Sequence, residues 1–269
     1  MAEPFFLAAG LGQRFCLYHP PQGTCRGAVL YLHPFGDEMN KARRMAALQA
    51  RALAAGGYGV LQLDLYGCGD SSGDFGEARW EIWKDDVARA RSWLETKLDQ
   101  PVTLWGLRLG ALLALDYAHS ARRPPAGLLL WQPVQSGAAF LTQILRLRVA
   151  NEMFGEKTEE KTGTKQLRDS LREGAVLEVA GYDITPAMAD SLDALDASEL
   201  TVTGCPVHWF EIVASADRPL NVAGARLADA WKGAGVALTV HLIACLPFWA
   251  TQEITECPPL LDATTGVLA

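Results

Sequence analysis

Short apolar runs alternate with helical patterns along most of the chain. The runs that predict buried strands are residues 27–32, 60–63, 102–105, 127–131, 207–213 and 237–244. The stretches that predict helices between them are 45–55, 78–94 and 111–118. In the second of these, Trp80, Trp83 and Val87 recur at three- and four-residue steps, as in an amphipathic helix. The alternation predicts an α/β fold with a doubly wound, mostly parallel sheet, and segments 5–8 and 14–18 predict an antiparallel hairpin at its edge.

Residues 134–199 interrupt this alternation. They contain helical patterns, including 140–149 and the charged stretch 156–165, but no signal for a buried strand. We therefore expect an α/β core formed by residues 1–133 and 200–269, with a helical cap or lid inserted at 134–199. A lid that covers a pocket explains the apolar side of the 140–149 helix better than contact with a membrane surface.

The composition narrows the function classes. The chain has 269 residues, 49% of them hydrophobic, which is enough for one domain with a large core. The net charge is -7, and no basic stretch is interleaved with aromatic residues, which argues against a nucleic-acid partner. Glu3 and Pro4 stand where a secretory signal would carry basic residues, and no apolar run reaches the roughly 20 residues that cross a bilayer. We expect a cytoplasmic protein without a transmembrane segment. Its six cysteines occur singly, without the paired spacing of a zinc or redox site, and we expect them to be reduced.

The most specific local pattern is Gly106-Leu107-Arg108-Leu109-Gly110. It lies between an apolar strand and an alanine- and leucine-rich helix, which is the context of the nucleophile elbow G-x-S-x-G. Glycines flank the nucleophile in that turn because its backbone is strained and crowded. Both glycines are present, so we expect the turn to be kept, with Arg108 projecting into the site in place of a serine.

With this motif the sequence resembles the α/β-hydrolase superfamily. The run His33-Pro34-Phe35-Gly36 follows the strand whose loop, in that superfamily, supplies part of the oxyanion hole. Residues 64–73 are similar to its loop pattern of Asp, two glycines, Ser and Gly. Glu211 and Asp217 lie on or just after a late strand, where the resemblance implies the triad acid.

Two further segments carry a narrower resemblance. Residues 33–41 (HPFGDEMNK), followed by Arg43, Arg44 and Met45, and residues 247–254 (PFWATQEI) resemble α/β-hydrolase-like proteins associated with bacterial exosortase A systems, most closely the second of two types. This resemblance implies a bacterium with exosortase-dependent protein sorting and linked exopolysaccharide production. It implies no particular substrate.

The residues at the triad positions argue against serine-triad catalysis. Arg108 stays protonated in proteins and can act neither as the nucleophile nor as the base. The loop after the last strand should carry the triad histidine, but Pro247 occupies the aligned position. The last histidine in the chain, His241, falls within the predicted strand and is interpreted as a packed strand residue.

A substitute mechanism remains an alternative. Cys68 and Ser71 lie in a loop at the same sheet edge and could act as nucleophiles if His33 were their base. The preferred interpretation of His33 is a ring that forms hydrogen bonds with the loop it begins. Side chains of a type that binds divalent ions are Asp37, Glu38, Glu253 and His33, but their spacing indicates no metal site, and we expect no cofactor.

Arg108 is also a candidate recognition residue, because the N-terminus of a helix already favours an anion. One hypothesis is an internal ion pair, with Glu211 as the first choice of partner and Asp217 and Glu253 behind it. The other is a carboxylate or phosphate of a ligand held beneath the lid. The residues expected to bind such a ligand are Arg108, Leu109, His33, Phe35, Glu211 and Glu253.

The leading hypothesis is therefore a hydrolase-like protein, degenerate for Ser-His-Asp catalysis, that binds a small anionic or acyl ligand or acts as an accessory protein. One alternative is a genuine hydrolase or acyltransferase with a non-standard nucleophile. Another is a non-catalytic interaction partner of a second exosortase-system protein.

Overall fold

The computed structural model of the chain describes residues 1–154, 163–215 and 217–268. Its strands are β1 (Glu3–Ala8), β2 (Gln13–His19), β3 (Gly27–Leu32), β4 (Tyr58–Leu63), β5 (Val102–Leu107), β6 (Gly127–Trp131), β7 (Leu177–Val179), β8 (Tyr182–Ile184), β9 (Pro206–Val213) and β10 (Ala237–Ala244). Its α-helices are α1 (Asp37–Ala55), α2 (Trp80–Leu98), α3 (Leu109–Ser120), α4 (Gly137–Phe154), α5 (Thr164–Arg172), α6 (Pro186–Asp193), α7 (Val222–Gly233) and α8 (Pro258–Gly266).

Eight of these strands form one mixed sheet in the order β1-β2-β4-β3-β5-β6-β9-β10. The neighbouring strands β4, β3, β5, β6, β9 and β10 pair in parallel, whereas β1 and β2 form an antiparallel hairpin that joins β4 at the edge. The predicted doubly wound α/β sheet and its edge hairpin are therefore confirmed. The carboxyl ends of β3, β5, β6, β9 and β10 lie at the same edge, where an open α/β sheet places its ligands.

The central strands are apolar because both of their faces are covered. All residues of β3, β5 and β6 are buried, which explains why they read as continuous apolar runs rather than as an alternation. Helix α1 begins at Asp37, eight residues before the alanine-rich pattern that predicted it. Its first turn holds Asp37 and Glu38, whose negative charges are favourable at a helix N-terminus.

Between β6 and β9 the chain forms α4, α5, the antiparallel pair β7–β8 and α6. The hairpin differs from the all-helical pattern expected for this segment. Each strand has only three residues, and the connecting Ala180 and Gly181 both have positive φ, as a two-residue hairpin turn requires. An alternation this short, joined by Ala-Gly rather than Asn-Gly, gives almost no sequence signal. Of the charged stretch 156–165, residues 156–162 lie outside the described part of the chain.

The structure corrects the expectation that all cysteines are reduced. Cys245, which follows β10, forms a disulfide with Cys257, which precedes α8. The loop after β10 folds back so that its two ends meet, a long-range approach that isolated cysteines in a sequence do not reveal. The cysteines that are free in the described chain are Cys16, Cys25, Cys68 and Cys205.

None of the described helices is both long enough and apolar enough to span a lipid bilayer.

A buried ion pair fastens the edge hairpin to helix α2. The Nε of Arg14 lies 2.7 Å from Oδ1 of Asp86, and both side chains are almost completely buried. The other carboxylate oxygen of Asp86 accepts a hydrogen bond from the backbone N–H of Tyr66, and the guanidinium of Arg14 lies 4.7 Å from the centre of the Tyr66 ring. This cluster joins β2, α2 and the loop after β4.

We expect Asp86→Ala to lower the free energy of unfolding by about 3–5 kcal/mol, because it leaves the Arg14 cation buried without its counter-charge. Urea titration followed by far-UV circular dichroism measures the change. Asp169→Ala is the control, since its ion pair with Arg172 is exposed and should be worth less than about 1 kcal/mol. Equal losses in the two variants would contradict this assignment.

Candidate functional site

The turn between β5 and α3 has the strained backbone of a nucleophile elbow. Arg108 has φ 56° and ψ -116°, a region that residues with a side chain rarely adopt. Four backbone hydrogen bonds hold it there: its N–H donates to the carbonyl of Trp131, and its own carbonyl accepts from the N–H groups of Ala111, Leu112 and Val134. The turn is therefore fixed from both the sheet and the helix.

The two glycines of the turn allow close approach of the backbone. A Cβ on Gly106 would overlap the carbonyl oxygen of Gly110 and the backbone of Ala111. A Cβ on Gly110 would overlap the carbonyl oxygens of Leu32 and His33. The start of α3 consequently packs directly against the loop that follows β3, and both structures contribute to the site.

The side chain of Arg108 is enclosed by four others. Its Nε lies 3.3 Å from Oε1 of Glu38, and its Nη2 donates to Oε1 of Gln143 at 3.4 Å. The guanidinium carbon lies 5.7 Å from the ring centre of Phe140 and 5.6 Å from that of Trp249, so both rings make cation–π contacts with it. Its side chain is 12% exposed. The arginine is thus a largely buried cation held by one carboxylate, one amide and two aromatic rings.

Glu38 is the carboxylate partner of Arg108, and its environment is unusual. Burial raises the pKa of its carboxyl above the ordinary value, although Arg108 and Lys41 both act to lower it. Its second oxygen, Oε2, is buried and has no hydrogen-bond partner. A buried carboxylate oxygen without a donor is energetically unfavourable, so the ion pair is only partly satisfied.

A cavity of about 170 Å³ lies beside this pair. Every side chain that contacts the guanidinium of Arg108 also lines the cavity. The aromatic residues of its wall are Phe35, Phe140, Tyr182 and Trp249. Helix α4 and the β7–β8 hairpin therefore form one side of the cavity, while α1 and the loop after β10 form the other.

Among the described residues, none of the carboxylates expected to pair with Arg108 forms an ion pair or a hydrogen bond with it. Glu211 is buried and accepts a hydrogen bond from the indole N–H of Trp209 at 2.9 Å. Burial raises the pKa of its carboxyl, although the nearby charge of Arg108 acts to lower it. Asp217 is exposed in the turn after β9, where a hydrogen bond from Ser215 lowers the pKa of its carboxyl. Glu253 is exposed in the loop after β10. The first choice, Glu211, is therefore corrected to Glu38, because Glu211 turns toward Trp209.

His33 has no free ring nitrogen for catalysis. Its Nδ1 lies 2.7 Å from the carbonyl oxygen of Pro34, and its Nε2 accepts a hydrogen bond from the backbone N–H of Leu65 at 3.2 Å. Since a carbonyl only accepts, Nδ1 carries the proton and Nε2 is already occupied as an acceptor. Burial lowers the pKa of the ring, which keeps it neutral. This geometry agrees with a ring that joins two loops.

The other histidines are also engaged away from the elbow. Their partners are Gln62 for His19, the carbonyl of Thr201 for His119, and each other for His208 and His241. The ring of His241 stacks on Phe210 within the sheet, as expected for a strand residue. All five histidines belong to the described part of the chain, and none of them contacts Arg108.

Cys68 and Ser71 have structural environments. Burial raises the pKa of the Cys68 thiol far above its ordinary value, so the nucleophilic thiolate is strongly disfavoured. The hydroxyl of Ser71 donates to the carbonyl of Asp64 at 2.5 Å and accepts from the backbone N–H of Phe15 at 2.9 Å. Ser71 thereby ties the loop after β4 to β2, and both ring nitrogens of His33, the base considered for Cys68 and Ser71, are engaged in hydrogen bonds.

Two backbone amides beside the elbow remain available. The N–H groups of Phe35 and Leu109 make no hydrogen bond within the described residues. Leu109 is the first residue of α3, and Phe35 lies in the loop on which Gly110 packs. Free amides at a helix N-terminus beside a guanidinium favour a negatively charged group.

Within the described ranges, no three His, Cys, Asp or Glu side chains come together in a way that could hold a metal ion.

Sequence reasoning missed Glu38 as a recognition residue and considered it only as a type of metal ligand. The signal was its position, because it follows the His33–Gly36 loop and lies in the first turn of a helix that begins at the same sheet edge as α3. Trp249, which contacts Arg108, was not predicted as a site residue, although it lies in the loop after β10 where a triad histidine is expected.

The chain is similar in sequence to a known family of hydrolases. A sequence model of the family described as serine aminopeptidase, S33, matches residues 23–211. That range contains β3 to β6, the elbow and most of β9. No curated protein sequence matches the chain.

Solved structures resemble the whole fold. Est1E from Butyrivibrio proteoclasticus, in a structure with ferulic acid bound, has a TM-score of 0.67 at 16% identity, over 98% of this chain and 96% of that one. A putative hydrolase from Agrobacterium vitis S4 has a TM-score of 0.62 at 18% identity, over 100% and 98%. A soluble variant of monoglyceride lipase from Saccharomyces cerevisiae has a TM-score of 0.62 at 15% identity, over 100% and 93%. At these identities the likeness concerns the fold.

We expect Gly110→Ala to lower the free energy of unfolding by about 1–3 kcal/mol, because the added methyl group would overlap two backbone carbonyls. Gly233→Ala is the matched control: it lies in α7 with no atom within 4 Å of the new Cβ, and should raise stability by about 0.5–1 kcal/mol. Thermal unfolding followed by circular dichroism compares them. Opposite signs are expected, and a neutral Gly110→Ala would mean that the elbow is less tightly packed than described.

Proposed function

The chain belongs to the serine aminopeptidase S33 family of α/β-hydrolases, and we propose that it binds a small anionic ligand at the family's nucleophile position without triad catalysis. The observation that carries the proposal is the elbow itself. Its strained backbone and close glycine packing are kept, while its side chain is an arginine in contact with the wall of a cavity. Strain retained at one residue indicates that the position of its side chain matters.

The chemistry around Arg108 supports an anion. A guanidinium presents five N–H donors and recognises carboxylates and phosphates through paired hydrogen bonds. The free amides of Phe35 and Leu109 and the N-terminus of α3 add partial positive charge near the elbow. A planar carboxylate suits such a set of donors.

The cavity supports an apolar or aromatic body on the same ligand. Its wall combines four aromatic rings with Ile144, Leu147 and Val179. Ligand cavities of this kind are mainly apolar, with a few polar groups that orient the ligand. We propose that residues 134–199 act as the lid of this cavity, since α4 and the β7–β8 hairpin supply one of its walls.

The neutral, doubly hydrogen-bonded His33 and the buried Cys68 thiol weigh against a relocated nucleophile. A purely structural interaction partner is the remaining alternative, and it would be insensitive to changes in Arg108. For the biological setting we propose an exosortase-linked exopolysaccharide system, on the resemblance of residues 33–45 and 247–254. In that setting the protein is an accessory component, and its macromolecular partner would be another protein of the system.

We expect ferulate, an aromatic carboxylate, to bind and Arg108→Ala to weaken its binding by about tenfold to a hundredfold, the value of a charge-assisted hydrogen bond. Isothermal titration calorimetry measures the affinity. Arg43→Ala is the control, because Arg43 is half exposed and faces Asp64 rather than the cavity beside Arg108. Equal binding by all three proteins would count against this site, and would favour an interaction partner.

Arg108→Ser should not create an esterase. No histidine lies in contact with residue 108, and Pro247 supplies no base, so the new hydroxyl would lack a proton acceptor. The assay follows hydrolysis of p-nitrophenyl acetate, with Arg108→Ala as the control that makes the same truncation without a hydroxyl. The two variants should have equal rates, and turnover by the serine variant alone would contradict the proposal.

A further inference from the structure

The ion pair between Glu38 and Arg108 has poorer hydrogen-bond geometry than a stable buried ion pair requires. The single contact of 3.3 Å is longer than the 2.7–2.9 Å of a strong charge-assisted hydrogen bond. The remaining oxygen of Glu38 is buried without a donor, although Arg108 has further N–H groups in the immediate vicinity. The carboxylate therefore neutralises the arginine without the two parallel hydrogen bonds that would make the pair strong.

The position of Glu38 also places it where a ligand anion would bind. Glu38 lies in the first turn of α1, directly after the loop that carries the free amide of Phe35. It lines the cavity together with Phe140, Gln143 and Trp249, the other contacts of Arg108. A ligand in that cavity whose carboxylate reached Arg108 would meet the carboxylate of Glu38, and two carboxylates at one site repel each other.

We propose that Glu38 is the specificity-determining residue of this site: its carboxylate holds the anion position on Arg108, and a ligand carboxylate takes that position as Glu38 accepts a proton. The inference rests on the proposed function and adds the selection of ligands to it. A ligand binds only if its anion forms better hydrogen bonds with Arg108 than the carboxylate of Glu38 does. A neutral ligand of the same shape cannot displace Glu38 from Arg108 and is therefore not selected.

The proton balance of this exchange follows from the groups around Glu38. They are Asp37 and Lys41 on α1, Arg108 at the elbow and Tyr182 on β8. Burial already raises the pKa of the Glu38 carboxyl while Arg108 is its partner, and loss of that partner raises the pKa further. Burial also raises the pKa of Tyr182, which stays neutral at the pH values concerned. One proton from solvent is therefore bound by Glu38 for each ligand anion bound, and the affinity increases as the pH falls.

Calorimetric titration of ferulate at a series of pH values from about 5.5 to about 8, all above the ordinary pKa of a carboxyl, tests the exchange. We expect Glu38→Gln to bind ferulate about tenfold more tightly at neutral pH, because the neutral amide does not repel the ligand carboxylate, and to lose the pH dependence of the wild-type protein. Glu38→Asp, which keeps the charge on a shorter chain, should retain the pH dependence. Asp37→Asn is the matched control, because it removes the adjacent carboxylate, which pairs with Lys41 instead of Arg108.

The outcomes separate the two proposals. Equal affinity and equal pH dependence in wild-type and Glu38→Gln proteins, with binding lost in Arg108→Ala, would overturn the role of Glu38 and keep the proposed function. A gain in Asp37→Asn as large as that in Glu38→Gln would also overturn it, since the effect would then be one of net charge. Failure of every variant to bind ferulate or benzoate would overturn both proposals.

Discussion

The backbone at residue 108 is the constraint on which the site depends. A residue with a side chain is held at positive φ because its N–H and carbonyl are bound to β6, to α3 and to the loop before α4. The glycines on either side permit the helix to press against β5 and against the loop after β3. These contacts fix the direction of the side chain at residue 108, whatever its chemical type. They also bring the N-terminal turns of α1 and α3 together, so that Glu38 and Arg108 can meet.

The electrostatics of the site follow from that geometry. Two helix N-termini, two free amides and a guanidinium concentrate positive potential at one edge of the sheet. The carboxylate opposite them is itself buried, and burial disfavours its charged form. The rings of Phe140 and Trp249 lie against the guanidinium. The region therefore combines a strong preference for an anion with a poorly satisfied internal one.

The central strands could be predicted because they are buried on both faces, so that the bounds of β3 and β6 coincide with apolar runs in the sequence. The bounds of β10, which is only partly buried, also coincide with an apolar run. The elbow could be predicted because the close backbone packing of this turn requires glycine at positions 106 and 110. Glu38 could not, since its partner lies 70 residues away and several carboxylates had equally plausible positions. The Cys245–Cys257 disulfide and the β7–β8 hairpin were missed for a related reason: each depends on how a loop folds back, which residue types alone do not specify.

The positive φ at residue 108 has a consequence for how this family can diverge. The conformational penalty arises from the Cβ atom and is nearly the same for serine, arginine or any other residue that has one. The scaffold consequently tolerates a change of side chain at this position without a change of fold. A single substitution there can exchange a reactive group for a recognition group, while the sheet, the adjoining loops and the surrounding helices continue to present it in the same direction.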